Sequence, residues 1–227
     1  MTGLLTPATE AEIDFLVEAI VSAERLPNDN VRTMYEVIYG ISREELAEFL
    51  RVALRSDHVG SPLSLMAFRL IFENGLPIAC CAGWMEASTG VPSGSLVAML
   101  LSRFLGAKRL RTRSEEIRLL ASVAPKRSPH TLQLESFYVT PDWRGRGYTR
   151  RLIEGYFAEY SERASRALSA EISLLLENTA ARRAYTAAGF DEQWSTEICP
   201  PRFRELTGSN GFCQLRRTLF TFNETAS

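Results

Sequence analysis

Histidine is almost missing from this chain, with His58 and His130 alone among 227 residues, and cysteine is limited to Cys80, Cys81, Cys199 and Cys213. No two of these cysteines have CxxC spacing, and neither histidine neighbours a cysteine or a carboxylate cluster, so the sequence predicts no His/Cys metal site. Cys80 and Cys81 sit inside an apolar run, where reduced, buried and structural thiols are expected. An excess of charge is also lacking: 26 basic and 27 acidic residues leave a net charge of -1, which gives no global basic field for nucleic acid. No apolar run approaches membrane-spanning length, and Met1 to Leu5 lacks a charged region followed by an apolar core. The expectation is a cytoplasmic protein with no membrane partner.

What is present is an ordinary globular composition, 45% hydrophobic and 23% charged, with no repeat and no low-complexity linker. The length suits one large domain, read as a single unit over 1–227. After a short strand at Leu4-Leu5, Thr9 and Glu12 form a capping box ahead of Ile13, Leu16, Val17, Ile20 and Val21, spaced as one helical face. A second helix is predicted through Val31, Met34, Tyr35 and Ile38 up to Gly40. Ser42 and Glu45 cap a third, with Leu46, Phe49, Leu50 and Leu54. Leu65 to Phe72 and Ile78 to Met85 flank Asn74-Gly75 as a β-hairpin.

The segment from Val91 to Ala124 contains an apolar, helical stretch from Leu96 to Leu105. A basic run follows from Arg103 through Lys108, Arg109, Arg111 and Arg113 to Arg118, expected as a solvated face. Leu132 to Val139 then reads as a strand, Thr140-Pro141-Asp142 as a turn, and Leu152, Ile153, Tyr156, Phe157 and Tyr160 as a helical stripe. Ile172, Leu174 and Leu176 alternate as a strand, Asn178 caps a helix ending at Gly189, and Phe212 to Phe220 closes as a strand. Helices interleaved with strands and a hairpin give an α/β (α+β) chain with a mixed sheet flanked by helices.

Between the strand ending at Val139 and the helix beginning near Tyr148 lies Trp143-Arg144-Gly145-Arg146-Gly147-Tyr148-Thr149. Glycines let backbone amides converge without Cβ obstruction, and the unpaired amides of a first helical turn lie at the positive end of the helix dipole. A pyrophosphate is the natural ligand, with Arg144 and Arg146 adding charge. A P-loop would need Gly-Lys-Ser/Thr, which is lacking. A Rossmann fingerprint would need a third glycine where Arg150 stands.

The loop resembles the acetyl-CoA signature of the GNAT (GCN5-related) N-acetyltransferase superfamily, Gln/Arg-x-x-Gly-x-Gly/Ala. Arg144 and Gly147 match it, and Thr149 replaces the final small residue. The resemblance runs in register from Gln133 to Phe190, through Leu134 to Val139, Pro141, Glu177-Asn178, Ala181, Ala184-Tyr185 and Gly189-Phe190. It implies a GNAT fold with extra N-terminal helices and a cofactor-binding core over about 132–190. The central sheet would be splayed between its fourth and fifth strands, here Leu132 to Val139 and Glu171 to Glu177, with the pantetheine arm in the gap. Cofactor contacts would come from Phe137, Tyr138, Val139, Arg144, Gly145, Arg146, Gly147, Tyr148, Thr149, Asn178 and Tyr185. Main-chain amides around Tyr138 and Val139 would hold the thioester carbonyl. The implied activity is direct acetyl transfer from acetyl-CoA, without a metal, to a primary amine. Tyr185 would be general acid, and Glu135 the base, directly or through water.

Other roles fit the same residues. Tyr185 falls on an apolar stripe with Ala181 and Ala188, Asn178 suits a plain N-cap, and solvent or an arginine partner would equally account for Glu135. Trp143 and Tyr148 read as aromatics packing around the loop. A CoA-binding module or sensor without transferase activity is the alternative function, and the basic run leaves an RNA or protein contact as a third reading. Small-molecule amines and peptides both remain open as acceptors, and a homodimer is compatible with the resemblance.

Overall fold

The computed structural model describes residues 5–161 and 169–218. The N-terminal part contains β1 (Thr6–Pro7), α1 (Ile13–Ala23), β2 (Arg25–Leu26), β3 (Asp29–Thr33), α2 (Met34–Tyr39) and α3 (Arg43–Leu54). The hairpin is β4 (Phe68–Glu73) and β5 (Leu76–Met85), followed by α4 (Ser93–Thr112) and α5 (Ser114–Val123). The remainder is β6 (Leu132–Val139), α6 (Tyr148–Ser161), β7 (Ser169–Leu175), α7 (Thr179–Ala187), β8 (Asp191–Ser195), α8 (Pro201–Thr207) and β9 (Phe212–Thr218).

Local chemistry explains several boundaries. Thr9/Glu12, Thr33/Glu36 and Ser42/Glu45 each form a reciprocal capping box, satisfying amide groups that a helix start leaves unpaired. Asn74 and Gly75, with φ of 52° and 76°, supply the two left-handed residues of a tight hairpin turn. Gly106, at φ 77°, interrupts α4 with a kink.

Three expectations change. Val31 lies in β3, 71% exposed, and α2 begins only at Met34, because the Thr33 capping box starts the helix later than the apolar spacing suggests. The first strand is Thr6–Pro7 rather than Leu4-Leu5; Leu4 lies outside the described residues, as do Leu219 and Phe220 of the closing strand. The basic run is not simply a solvated face: Arg109 binds the Glu45 carboxylate at 2.6 Å and the Gly40 carbonyl at 2.6 Å. Arg113 donates to the carbonyls of Ile38 and Val37. These arginines cap the C-terminus of α2 and fasten α4–α5 against α2 and α3.

One seven-stranded sheet has the order β1-β4-β5-β6-β7-β9-β8, and β2-β3 form a separate pair. Within the larger sheet, β6 and β7 are parallel and the other described neighbours antiparallel. One face is covered by α1, α3 and α4 through Leu16, Ile20, Phe49, Leu50 and Leu101. The other is covered by α6 and α7 through Leu152, Ile153, Tyr156 and Tyr185. Among the described residues no helix is long and apolar enough to cross a membrane.

A bulge in β6 decides what the site receives. Cys80 pairs with Tyr138 and Ala82 with Glu135, so Ser136 and Phe137 together face the single residue Cys81. Ser136 takes φ 53°, a left-handed conformation uncommon outside glycine. The extra residue reverses the alternation: Leu132 and Leu134 pack with Phe137 and Val139 on the α6 side, while Tyr138 joins the core beneath α1.

Candidate active site

The pairing of β6 with β7 is confined to Leu132 opposite Ala170 and Gln133 opposite Glu171. Beyond these two rungs the strands diverge, although β6 continues to Val139 and β7 to Leu175. Glu171 anchors the vertex. Its carboxylate is buried and accepts from Gln133 Nε2 at 2.7 Å, Ser128 N at 3.0 Å and Arg216 Nη2 at 2.6 Å. Burial alone would raise its pKa, but the hydrogen bonds from Ser128, Gln133 and Arg216 outweigh it and hold the group below the usual carboxylate value.

A cavity of about 550 Å³ opens in the divergence, lined from β6 by Glu135, Ser136 and Phe137 and from β7 by Ile172, Ser173 and Leu174. Asn178, Ala181 and Tyr185 of the following segment close one end. At the other end stand Glu24 and Arg25 after α1, Tyr35 and Tyr39 of α2, and Arg127 before β6. The volume is within the range of about 300–1,000 Å³ typical of small-molecule sites.

The structure therefore brings Glu135, Phe137, Asn178 and Tyr185 to one cavity. Tyr185 is 7% exposed, its ring 5.2 Å from that of Phe137. Burial, then Cys81 and Glu135, push its phenol well above the ordinary value, so it stays protonated. Asn178 caps α7, accepting from Ala181 N at 3.2 Å, while remaining part of the lining. Glu135 forms an ion pair with Arg127, the arginine partner that sequence reasoning left open.

Other expected contacts lie outside that lining. Tyr138 points its side chain away, its hydroxyl donating to Glu18 Oε1 at 2.7 Å, which leaves only its main chain for the cleft side. Val139 accepts Arg144 Nε at 3.0 Å through its carbonyl. The loop from Arg144 to Gly147 is exposed, with Gly145 and Gly147 at φ 75° and 79°. Arg146 lies over the Trp143 ring at 4.7 Å, and Trp143 meets Tyr148 edge-on at 6.0 Å. Tyr148 is buried and donates to Glu73 Oε1 at 3.1 Å, and Thr149 follows it in the first turn of α6.

Two local features of the loop and cavity bear on coenzyme A. A Cβ built at Gly145 or Gly147 meets nothing within 4 Å, so the loop has open space before it for an anion. Ser173 Oγ is buried and has no hydrogen-bond partner among the described residues, in the strand that a pantetheine arm would follow. Both fit.

Glu24 was not anticipated from sequence. It caps the C-terminal end of α1, on none of the motifs, and only the cavity shows its company. Its pKa is pushed up to about 7, first by burial, then by the charge of Glu135, with Arg127 opposing.

A sheet parted beside a glycine-bearing helix start is the arrangement that the sequence resemblance implied. The sequence profile of the Acetyltransferase (GNAT) family matches residues 68–190, more than half of the chain, and the protein belongs to that family. No curated protein matches the sequence. Among solved structures, one described as an acetyltransferase aligns with TM-score 0.59 at 14% identity, covering 96% of this chain and 100% of the other. An N-acetyltransferase from Staphylococcus aureus Mu50 aligns with TM-score 0.56 at 13% identity, covering 95% and 100%. A ribosomal L7/L12 alpha-N-protein acetyltransferase in complex with coenzyme A aligns with TM-score 0.50 at 11% identity, covering 95% and 93%. At these identities the likeness establishes the fold.

Proposed function

We propose that the protein transfers an acetyl group from acetyl-CoA to a primary amine within a ternary complex, with the cofactor-binding core spanning about 132–190. The observation that carries this reading is the cavity between β6 and β7 with Tyr185 at one end and carboxylates at the other. Acetyl-CoA supplies the activated acetyl thioester. The amides opening α6, with Arg144, Gly145, Arg146, Gly147 and Thr149, bind its diphosphate. Main-chain groups of Phe137, Tyr138 and Val139, set by the Ser136 bulge, orient the thioester, and Asn178 steadies the turn into α7.

Tyr185 donates to the departing sulfur. A phenol with a raised pKa is a weak acid toward an exposed thiolate, but the same desolvation raises the thiol, which restores the match. The bound coenzyme A in the L7/L12 acetyltransferase supports the cofactor assignment by fold. The location is taken as cytoplasmic.

Thermal unfolding with acetyl-CoA tests the reading. Binding to the folded state alone adds about 2.7 kcal/mol at a hundredfold excess over Kd, a clear rise in Tm. Tyr185→Phe should keep that rise while lowering the rate of thiol release by about 100-fold. No shift with acetyl-CoA or free CoA refutes the proposal, and a shift without thiol release from any amine would favour a CoA-binding module.

A further inference from the structure

The far end of the cavity holds two carboxylates, and one is already committed. Arg127 pairs with Glu135 through Nη2 and donates through Nη1 to Ser93 Oγ at 2.9 Å. Ser93 in turn donates to buried Glu86 from its hydroxyl at 2.5 Å and its amide at 3.0 Å. Trp84 Nε1 reaches Glu86 at 3.1 Å, and the Arg127 guanidinium lies 5.1 Å over the Trp84 ring. Glu135 is thus fixed in position with its charge matched.

Glu24 lines the same space and, among the described residues, makes no ion pair and accepts no side-chain hydrogen bond. Tyr35 and Tyr39 of α2, Arg25 beside it, Arg127 and Glu135 are the titratable groups around it. The rest of this end is apolar, with Ile20, Met34, Leu63, Val97 and Leu120.

We infer that this end is the acceptor subsite, that its occupant is a small primary amine with an apolar body, and that Glu24 is the carboxylate that receives the ammonium proton. The inference rests on the acetyltransferase reading and narrows it. One cavity of about 550 Å³ has to hold both the thioester end and the acceptor, which leaves room for a small molecule. A polypeptide needs a groove with main-chain partners, whereas side chains from α2, α4 and α5 line this part of the cavity. The apolar lining suits a hydrocarbon or aromatic body, and an unpaired carboxylate suits its ammonium.

The proton count closes. Glu24 takes one proton from the ammonium and passes it to solvent, leaving a neutral amine whose lone pair forms the C–N bond. As the C–S bond breaks, the second proton leaves nitrogen and one arrives on sulfur, Tyr185 giving one and recovering one. The products are the amide and a free thiol. A carboxylate with pKa about 7 is matched to this task near neutrality.

The test uses phenethylamine, hexylamine and tyramine as probes, with an N-acetylated peptide containing one central lysine for comparison. Initial thiol release is followed with acetyl-CoA in the wild type, Glu24→Gln and Glu135→Gln, and acetyl-CoA binding by each protein reports an intact fold. At least one small amine should outperform the peptide, and its kcat/KM should rise between about pH 6 and 8. Glu24→Gln should lower kcat/KM by about tenfold or more near neutrality and replace a limb that levels above about pH 7 with one that keeps rising through about pH 8, because the solution fraction of neutral amine then sets the rate. Glu135→Gln should keep a levelling limb, moved to lower pH by loss of its charge. Preference for the peptide, no turnover of any small amine by protein that binds acetyl-CoA, or an unchanged pH limb in Glu24→Gln overturns the inference and leaves the cofactor reading standing. Failure of the wild type to bind acetyl-CoA removes both.

Discussion

Tyr156 lies directly over Gly83, so close that a Cβ at Gly83 would stand 2.3 Å from the tyrosine ring. The ring has no room to retreat: Tyr156 is fully buried, and its hydroxyl is within 2.6 Å of the Ala67 carbonyl and 2.7 Å of the Cys81 carbonyl. Gly83 is therefore the position at which β5 admits α6.

Gly83→Ala should destabilise the protein by about 1–3 kcal/mol or more through overpacking. Urea unfolding followed by circular dichroism measures it, and an unchanged midpoint would contradict the packing described.

Glu24 makes stability depend on pH with a definite sign. Its folded pKa of about 7 lies above the ordinary 4.5, so the folded chain retains a proton that the unfolded chain releases between those values. Stability falls as pH rises through that window and then levels, the full cost being at most about 3 kcal/mol. Glu24→Gln should accordingly raise Tm above pH 7 and have little effect below 4.5. A variant less stable than wild type above pH 7 would mean that Glu24 has a favourable partner as an anion.

Arg127 holds Glu135 and, through Ser93, the buried Glu86. Removing Arg127 leaves half-buried Glu135 and the buried Glu86 cluster without their cation. Arg127→Ala is expected to cost about 1–3 kcal/mol, read as the fall in unfolding free energy. The double change Arg127→Ala with Glu135→Ala should recover part of the loss, and no recovery would show that the pair is not coupled.

Gly147 adopts φ 79° beside open space. Gly147→Ala should lower the stability of the free protein by only about 1 kcal/mol, the cost of a left-handed alanine. If the loop holds a diphosphate, the added methyl and the shifted amide should weaken acetyl-CoA binding by about tenfold or more, measured by calorimetry. Unaltered affinity would remove the loop from the binding site.

Short-range chemistry was legible in the sequence. Thr9/Glu12 and Ser42/Glu45 announced their helices because both halves of a capping box lie within four residues. Asn74-Gly75 announced a hairpin, and β6 has the bounds read for it, Leu132–Val139. The β6 bulge was not legible, since Ser136 carries no glycine-like signal and its left-handed φ follows from pairing two residues against Cys81. Glu24 was invisible for a different reason. Its neighbours Tyr35, Arg127 and Glu135 come from distant parts of the chain, and only tertiary packing assembles them.

The two rungs joining β6 to β7 carry one more consequence. Gln133 and Arg216 both clasp Glu171 at the root of the fork, and past that point β6 and β7 share no rung, so the parting belongs to the fold itself. Under the proposed function, an arriving thioester tail would have no strand pairing to unzip, and the work of parting the backbone would be done once, during folding.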